Sequence, residues 1–287
     1  MKTSTEIASI AHITGEEKAI EYCAKAGFDA WDFSMFAMCR YDWATGNAAP
    51  GDHPLAGGDY AAFAKRLRQV GEDNGIHCNQ SHAPFPTYVK PIRDMLKRAI
   101  ECTAIAGGSI CVIHPGNDDS VQANADMYLE LLPFARAHNV KIATENMWDW
   151  DDAKGHSSFA ACATSESFLE HMEAVNDPFF VACLDLGHAE MKGSGSGAPH
   201  MIRALGHHLQ ALHIHDNDLL NDSHQLPFTM QMDFDAIVKA LQDIRYQGYF
   251  TLEADQYLHD RDESNVYAGV VEMAAAARKL ADMFENK

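Results

Sequence analysis

Short apolar runs that read as strands alternate along this chain with longer stretches of helical periodicity. The clearest run is 179–184, Phe-Phe-Val-Ala-Cys-Leu, whose uniform apolarity fits a strand buried on both faces. Seven further strands are predicted at 6–13, 28–33, 76–81, 109–113, 140–144, 211–215 and 249–253. Helices are predicted at 15–26, 60–75, 90–106, 120–138 (kinked at Pro133), 165–175, from the Gly/Ser stretch 193–197 to about 209, and 266–284. In the first of these, Ala19, Ile20, Cys23 and Ala24 share one face and Gly27 closes the helix. The loop 146–164 is long and carries Trp148, Trp150 and Lys154, the make-up of a lid.

Eight strands alternating with helices is the arithmetic of a single (β/α)8 TIM barrel, an α/β domain spanning 1–287. A doubly wound sheet would carry G-x-G-x-x-G after its first strand, and no such motif occurs there. No low-complexity linker divides the chain. A barrel gathers its chemistry at the C-terminal ends of its strands, and those ends hold His12, His82, His114, Glu145, Asp185, His213 and Glu253. A carboxylate ending a buried strand, with His188 three residues on, is costly unless both bind something. Alternation sets Asp32 opposite Trp31 and Phe33, so it faces the barrel mouth as a hydrogen-bond acceptor behind the ligands. Trp31, Phe33, Trp148 and Trp150 offer an apolar wall on which a ligand ring could stack, with barrel packing the equal alternative for Trp31 and Phe33. His138, His171 and His259 read as surface residues, and His207 and His208 as favouring a helix end.

Charge narrows the function. A formal net charge of -19 opposes a phosphate backbone, so no nucleic-acid partner is expected. No segment has the length of a membrane span, and 1–14 lacks the apolar core of a secretory signal. Seven cysteines without a C-x-x-C pair read as buried free thiols of a reducing compartment, which gives a cytoplasmic expectation. Neither a G-x-S-x-G elbow nor a phosphate loop is found.

The motifs S-H-A-P (81–84), I-H-P-G (113–116), T-E-N (144–146), L-D-L-G-H (184–188), H-I-H-D-N-D (213–218) and L-E-A-D (252–255) resemble the xylose-isomerase-like barrel superfamily. That group includes sugar isomerases and ketose 3-epimerases, inosose dehydratases and the endonuclease IV type of repair enzyme. The resemblance implies one divalent metal per chain, held by Glu145, Asp185, His213 and Glu253. Three carboxylates and an imidazole are a hard ligand set, suited first to Mn²⁺ and also to Mg²⁺, Co²⁺ or Zn²⁺. The implied reaction is isomerisation or epimerisation of a ketose or related polyol ketone through an enediolate. Glu145 and Glu253 are the two bases on either face of a metal-chelated substrate, and His188 bonds a substrate oxygen. His82, His114, His188, Trp31 and Trp148 are the candidate substrate contacts. In the endonuclease IV branch, residues matching His82, His114, Asp222 and His224 hold additional zinc, which keeps a multi-zinc phosphodiesterase as the lesser alternative beside an inosose-type dehydratase. The stretch after His213 lacks the Arg with which ketose 3-epimerases grip their substrate. The expected partner is a small sugar or polyol ketone, and the expected assembly a homodimer or homotetramer.

Overall fold

The architecture comes from a computed structural model, which describes residues 1–286. Eight short parallel strands form the barrel wall: β1 (Thr3–Thr5), β2 (Ala30–Ser34), β5 (His77–His82), β6 (Ile110–Val112), β7 (Lys141–Glu145), β10 (Phe180–Asp185), β11 (Leu209–His213) and β12 (Phe250–Leu252). Six of them pair in the order β11-β10-β7-β6-β5-β2, and β12 pairs with β1. Bridges Glu6–Asp32 and Ile214–Leu252 join the two sheets and close the ring. Closure removes free edges, so the wall's backbone groups are satisfied within it.

Helices cover the outside: α1 (Ala8–Thr14), α2 (Glu16–Ala26), α3 (Tyr60–Asp73), α4 (Lys90–Arg93), α5 (Leu96–Ala106), α6 (Val121–Ala137), α7 (Ser165–Val175), α8 (Leu186–Glu190), α9 (Ala198–Leu205), α10 (Phe234–Asp243) and α11 (Val266–Glu285). Two hairpins, β3–β4 (Arg40–Asp42 and Asn47–Ala49) and β8–β9 (Asp149–Asp151 and His156–Ser158), rise from the loops after β2 and β7. The second hairpin occupies the loop read as a lid. Its Ser157 hydroxyl donates to the Lys192 carbonyl at 2.8 Å. Gly193 has φ 97°, and a Cβ there would fall 2.2 Å from the Ser157 carbonyl oxygen, so only glycine lets the two segments approach. No described helix is long and apolar enough to cross a membrane. All seven cysteines are free and buried.

The inside of the wall is small and apolar on one flank, where Val112, Ala143, Val181, Cys183 and Ala211 pack together. Opposite them the floor is polar. Ser4 Oγ donates to Asn79 Oδ1 (2.7 Å), Thr251 Oγ1 donates to Gln80 Oε1 (3.2 Å), and Gln80 Nε2 donates to Asp32 Oδ2 (2.9 Å). Neighbouring residues Asn79 and Gln80 both face inward because Trp31 pairs with Cys78 and Asp32 with Gln80, leaving Asn79 as a bulge.

The first strand differs from its sequence reading. Residues 6–13 do not form it: Thr3–Thr5 pairs with Phe250–Leu252, and the apolar stretch beyond is helix α1. His12 therefore lies exposed on that helix, away from the mouth, and the first strand end is Glu6. Trp31 is likewise not in the mouth. It is fully buried on the outer side of the wall, edge-on to Phe33 with ring centroids 5.5 Å apart, and its Nε1 would lie 3.0 Å from a Cβ at Gly71 of α3. His171 is buried rather than superficial: its Nδ1 donates to the Ser167 carbonyl at 2.7 Å and its other nitrogen lies 3.3 Å from the Asn124 amide.

Candidate metal and active site

Strand alternation aims the site. Glu145 follows Ala143, Asp185 follows Cys183 and His213 follows Ala211, each two residues on and so on the same inner face. Glu253 stands just past β12. Ligand atoms of these four side chains all lie within 4.8 Å of one another. His213 Nδ1 sits 2.9 Å from Glu145 Oε1 and 3.3 Å from Glu253 Oε2. Asp185 caps α8, its Oδ1 accepting the His188 backbone N–H at 2.7 Å.

Two further groups adjoin this one. His82, His114 and Glu145 converge, with Glu145 Oε2 3.2 Å from His114 Nε2 and 3.6 Å from His82 Nε2. On the other side His188, His215, Asp222 and His224 come together. Asp222 Oδ2 lies 3.3 Å from His188 Nε2, and His215 stacks on His224 with centroids 3.9 Å apart. Gly187 makes room for this, since a Cβ there would fall 2.0 Å from the His215 ring.

The imidazoles are oriented as metal ligands are. His82, His188 and His224 each donate Nδ1–H to a backbone carbonyl, of Ala83, Asn146 and Glu253, at 2.8, 2.9 and 2.8 Å. In the neutral ring that leaves the Nε2 lone pair pointing into the site. His213 is turned the other way, its Nε2 3.5 Å from Asp32 Oδ2 and its Nδ1 toward the carboxylates. Several buried ligand atoms have no hydrogen-bond partner, among them Glu145 Oε2, Asp185 Oδ2 and Asp222 Oδ1. Buried anionic oxygens without donors call for a cation, so this donor set fits a divalent metal.

The groups shift one another strongly. Burial would raise the Glu145 carboxyl, but His213, His114 and His82 hold it well below the usual range. Glu253 goes the other way: burial raises it, opposed by His213 and reinforced by Glu145. Burial alone would lower His188, yet Asp185 and Asp222 drive it up to about 10. Burial and the neighbouring His82 push His114 down to about 4. Glu6, at the end of the first strand, is buried, and burial pushes its carboxyl up to about 7 against the hydrogen bonds from Ser9.

These side chains floor a cavity of about 600 Å³ whose wall holds no lysine or arginine. His82, His114, Glu145, His188, Asp222, His224 and Glu253 all line it, and Trp148 joins them, its Nε1 donating to Asp222 Oδ2 at 3.0 Å. Asp185 and His213 lie behind that surface, fully buried. Two residues were outside the sequence reading. His215 had a usable signal, since it stands two residues after His213 and shares its face. Glu6 had none, because its strand was misplaced.

Residues 20–284 match the family described as Xylose isomerase-like TIM barrel. The chain belongs to this family. An uncharacterized protein of Sinorhizobium fredii is 28% identical over 210 residues, covering 66% of this chain and 63% of its own. The chain spans less than two thirds of the length of the curated relatives it matches. Among solved structures of this fold, a D-tagatose 3-epimerase-like protein superposes with a TM-score of 0.72 at 18% identity, over 99% of this chain and 98% of the other. An L-ribulose 3-epimerase gives 0.71 at 17% identity, over 99% and 95%. At such identities the likeness establishes the common xylose isomerase-like barrel.

Proposed function

We propose that the protein is a divalent-metal-dependent sugar isomerase or epimerase acting on a neutral ketose or polyol ketone. One observation carries the reading. Carboxylates from the fifth and eighth barrel strands, Glu145 and Glu253, bracket the same imidazole nitrogen and both border the cavity. Glu145, Asp185, His213 and Glu253 would hold the ion, Mn²⁺ first among candidates, which supplies Lewis-acid charge that acidifies a C–H beside a carbonyl. Glu145, held as a carboxylate, takes the proton. Glu253, whose carboxyl is raised, returns one to the other face, so the carbon inverts through an enediolate. Protonated His188 donates to a substrate oxygen and stabilises the charge that develops on it. A cavity wall without lysine or arginine favours an uncharged sugar over its phosphate. The names of the two structural neighbours support the same reaction class.

NMR in D₂O tests this. Wild type incubated with a panel of ketoses and keto-inositols should place solvent deuterium at one carbon beside the carbonyl. Deuterium accompanied by loss of water points to the inosose-type dehydratase, and turnover without deuterium overturns the two-base mechanism.

A second reading has its own observation: the ligand groups around His188 and His82 give the chain the donors of a multi-zinc phosphodiesterase. The net charge of -19 weighs against it. The epimerase reading expects one essential ion per chain and no cleavage of an abasic duplex at physiological salt. Three ions by elemental analysis together with efficient incision would reverse the order of the two.

A further inference from the structure

Seven large hydrophobic side chains are exposed among the described residues, and three of them, Trp43, Tyr88 and Trp150, stand on the rim of the same cavity. Their exposures are 67%, 56% and 38%. Exposed aromatics gathered at one mouth are costly in water and mark a surface that is covered in use. Two separate hairpins deliver the tryptophans, Trp43 at the turn of β3–β4 and Trp150 at the centre of β8, and Tyr88 comes from the loop before α4. The first group is braced, Tyr41 meeting Trp43 edge-on at 4.8 Å and Tyr88 at 6.4 Å.

We propose that this rim is a subsite for a second sugar ring, so that the substrate is a keto-sugar carrying a neutral glycosyl group rather than a free monosaccharide. The inference deepens the reading of the floor as a sugar site and rests on it. Its support is continuity: the rim and the carboxylates at the floor wall one cavity. At about 600 Å³ that cavity lies within the range that takes a drug-sized ligand, and it exceeds the needs of one hexose. Sugar rings present apolar C–H faces that pack on flat aromatic surfaces, while their hydroxyls stay at the edge in water. The absent lysines and arginines make the second ring uncharged. A lone ketose chelated at the floor would leave the rim tryptophans wet.

Calorimetric titration of the full, Mn²⁺-replete chain decides the matter. The probes are D-fructose and three disaccharides in which the same ketose carries an aldohexosyl ring at different hydroxyls: turanose, lactulose and isomaltulose. At least one disaccharide should bind about tenfold more tightly than D-fructose, the gain expected when one ring face is covered. Trp43→Ala and Tyr88→Ala should each remove most of that gain and change the D-fructose Kd less than twofold. Thermal melts matching wild type establish that the variants fold. Equal binding of fructose and every disaccharide, or tighter binding of fructose, overturns the subsite and leaves the reading of the floor standing. So does equal weakening of both probes with a change in oligomeric state by light scattering, which assigns the rim to contact between copies. Failure of all four probes to bind, with no deuterium exchange in any ketone, overturns both.

Discussion

Asp185→Asn is expected to lower divalent-metal affinity by more than about a hundredfold and to abolish turnover, while the barrel still folds. The substitution keeps volume and keeps an oxygen for the α8 cap, where Oδ1 accepts the His188 N–H. It removes the negative charge, and it replaces an oxygen that has no partner with one-half of a neutral amide. Losing only an outer partner of a metal ligand already costs about 10–100-fold, and Asp185 stands within the ligand group itself. Elemental analysis of the purified variant beside wild type reads the loss directly, and circular dichroism checks the fold. Full retention of metal by Asp185→Asn would remove the site from the ends of β7, β10, β11 and β12.

The second large effect separates the two glutamates. Glu145→Gln and Glu253→Gln should each reduce turnover by about 10²–10⁴, the usual worth of a positioned acid or base. Exchange need not fall in step with turnover. Glu253→Gln leaves Glu145 able to abstract from its own face, so one epimer of a substrate pair should still exchange with D₂O while product is not formed. Glu145→Gln should spare the opposite epimer. Metal content must be measured alongside, because each residue also belongs to the ligand group. Identical loss of exchange from both epimers in both variants, with metal retained, would show that the glutamates do not act on separate faces.

Much of this site was legible because strand alternation is a strict rule. Asp185 and His188 at the end of a fully apolar strand, Glu145 after Ala143 and His213 after Ala211 could be aligned without coordinates, and β10 and α7 lie where their patterns place them. What failed, failed for physical reasons. The stretch Ala8–Thr14 is short and apolar, and such a run suits a buried strand as well as a helix. Pairing with Phe250–Leu252, remote in sequence, gave the strand to Thr3–Thr5 instead and carried His12 away with the helix. α10 has an Asp233 cap and a clear apolar stripe, and the alternation of strands and helices requires a helix here, although none is among those predicted. Trp31 faces α3, on the side of the strand opposite Asp32, as its closeness to Gly71 shows, so alternation that aims Asp32 inward already excludes Trp31 from the mouth. The group of His188, His215, Asp222 and His224 depends on a loop that folds back after β11, which no periodicity announces.

The bulge at Asn79 gives the third barrel strand a change of phase. Before it, Cys78 points outward to the Gly108 backbone; after it, Ser81 points outward to Thr103 of α5 and His82 points in. Outward positions 78 and 81 are three apart, an odd interval that an unbroken strand cannot supply. One extra residue therefore lets a single strand keep two incompatible frames, one set by the floor network and one by the site above it. The same residues run as an unbroken strand would have to choose between them. With the lower half fixed by Ser4 and Thr251, His82 would rotate into the helix layer and its place beside Glu145 would fall to a neighbour. Loss of Asn79 itself would restore plain alternation and leave His82 facing in, at the expense of the floor bonds to Ser4 and Thr251, so the bulge is what admits both side chains to one face.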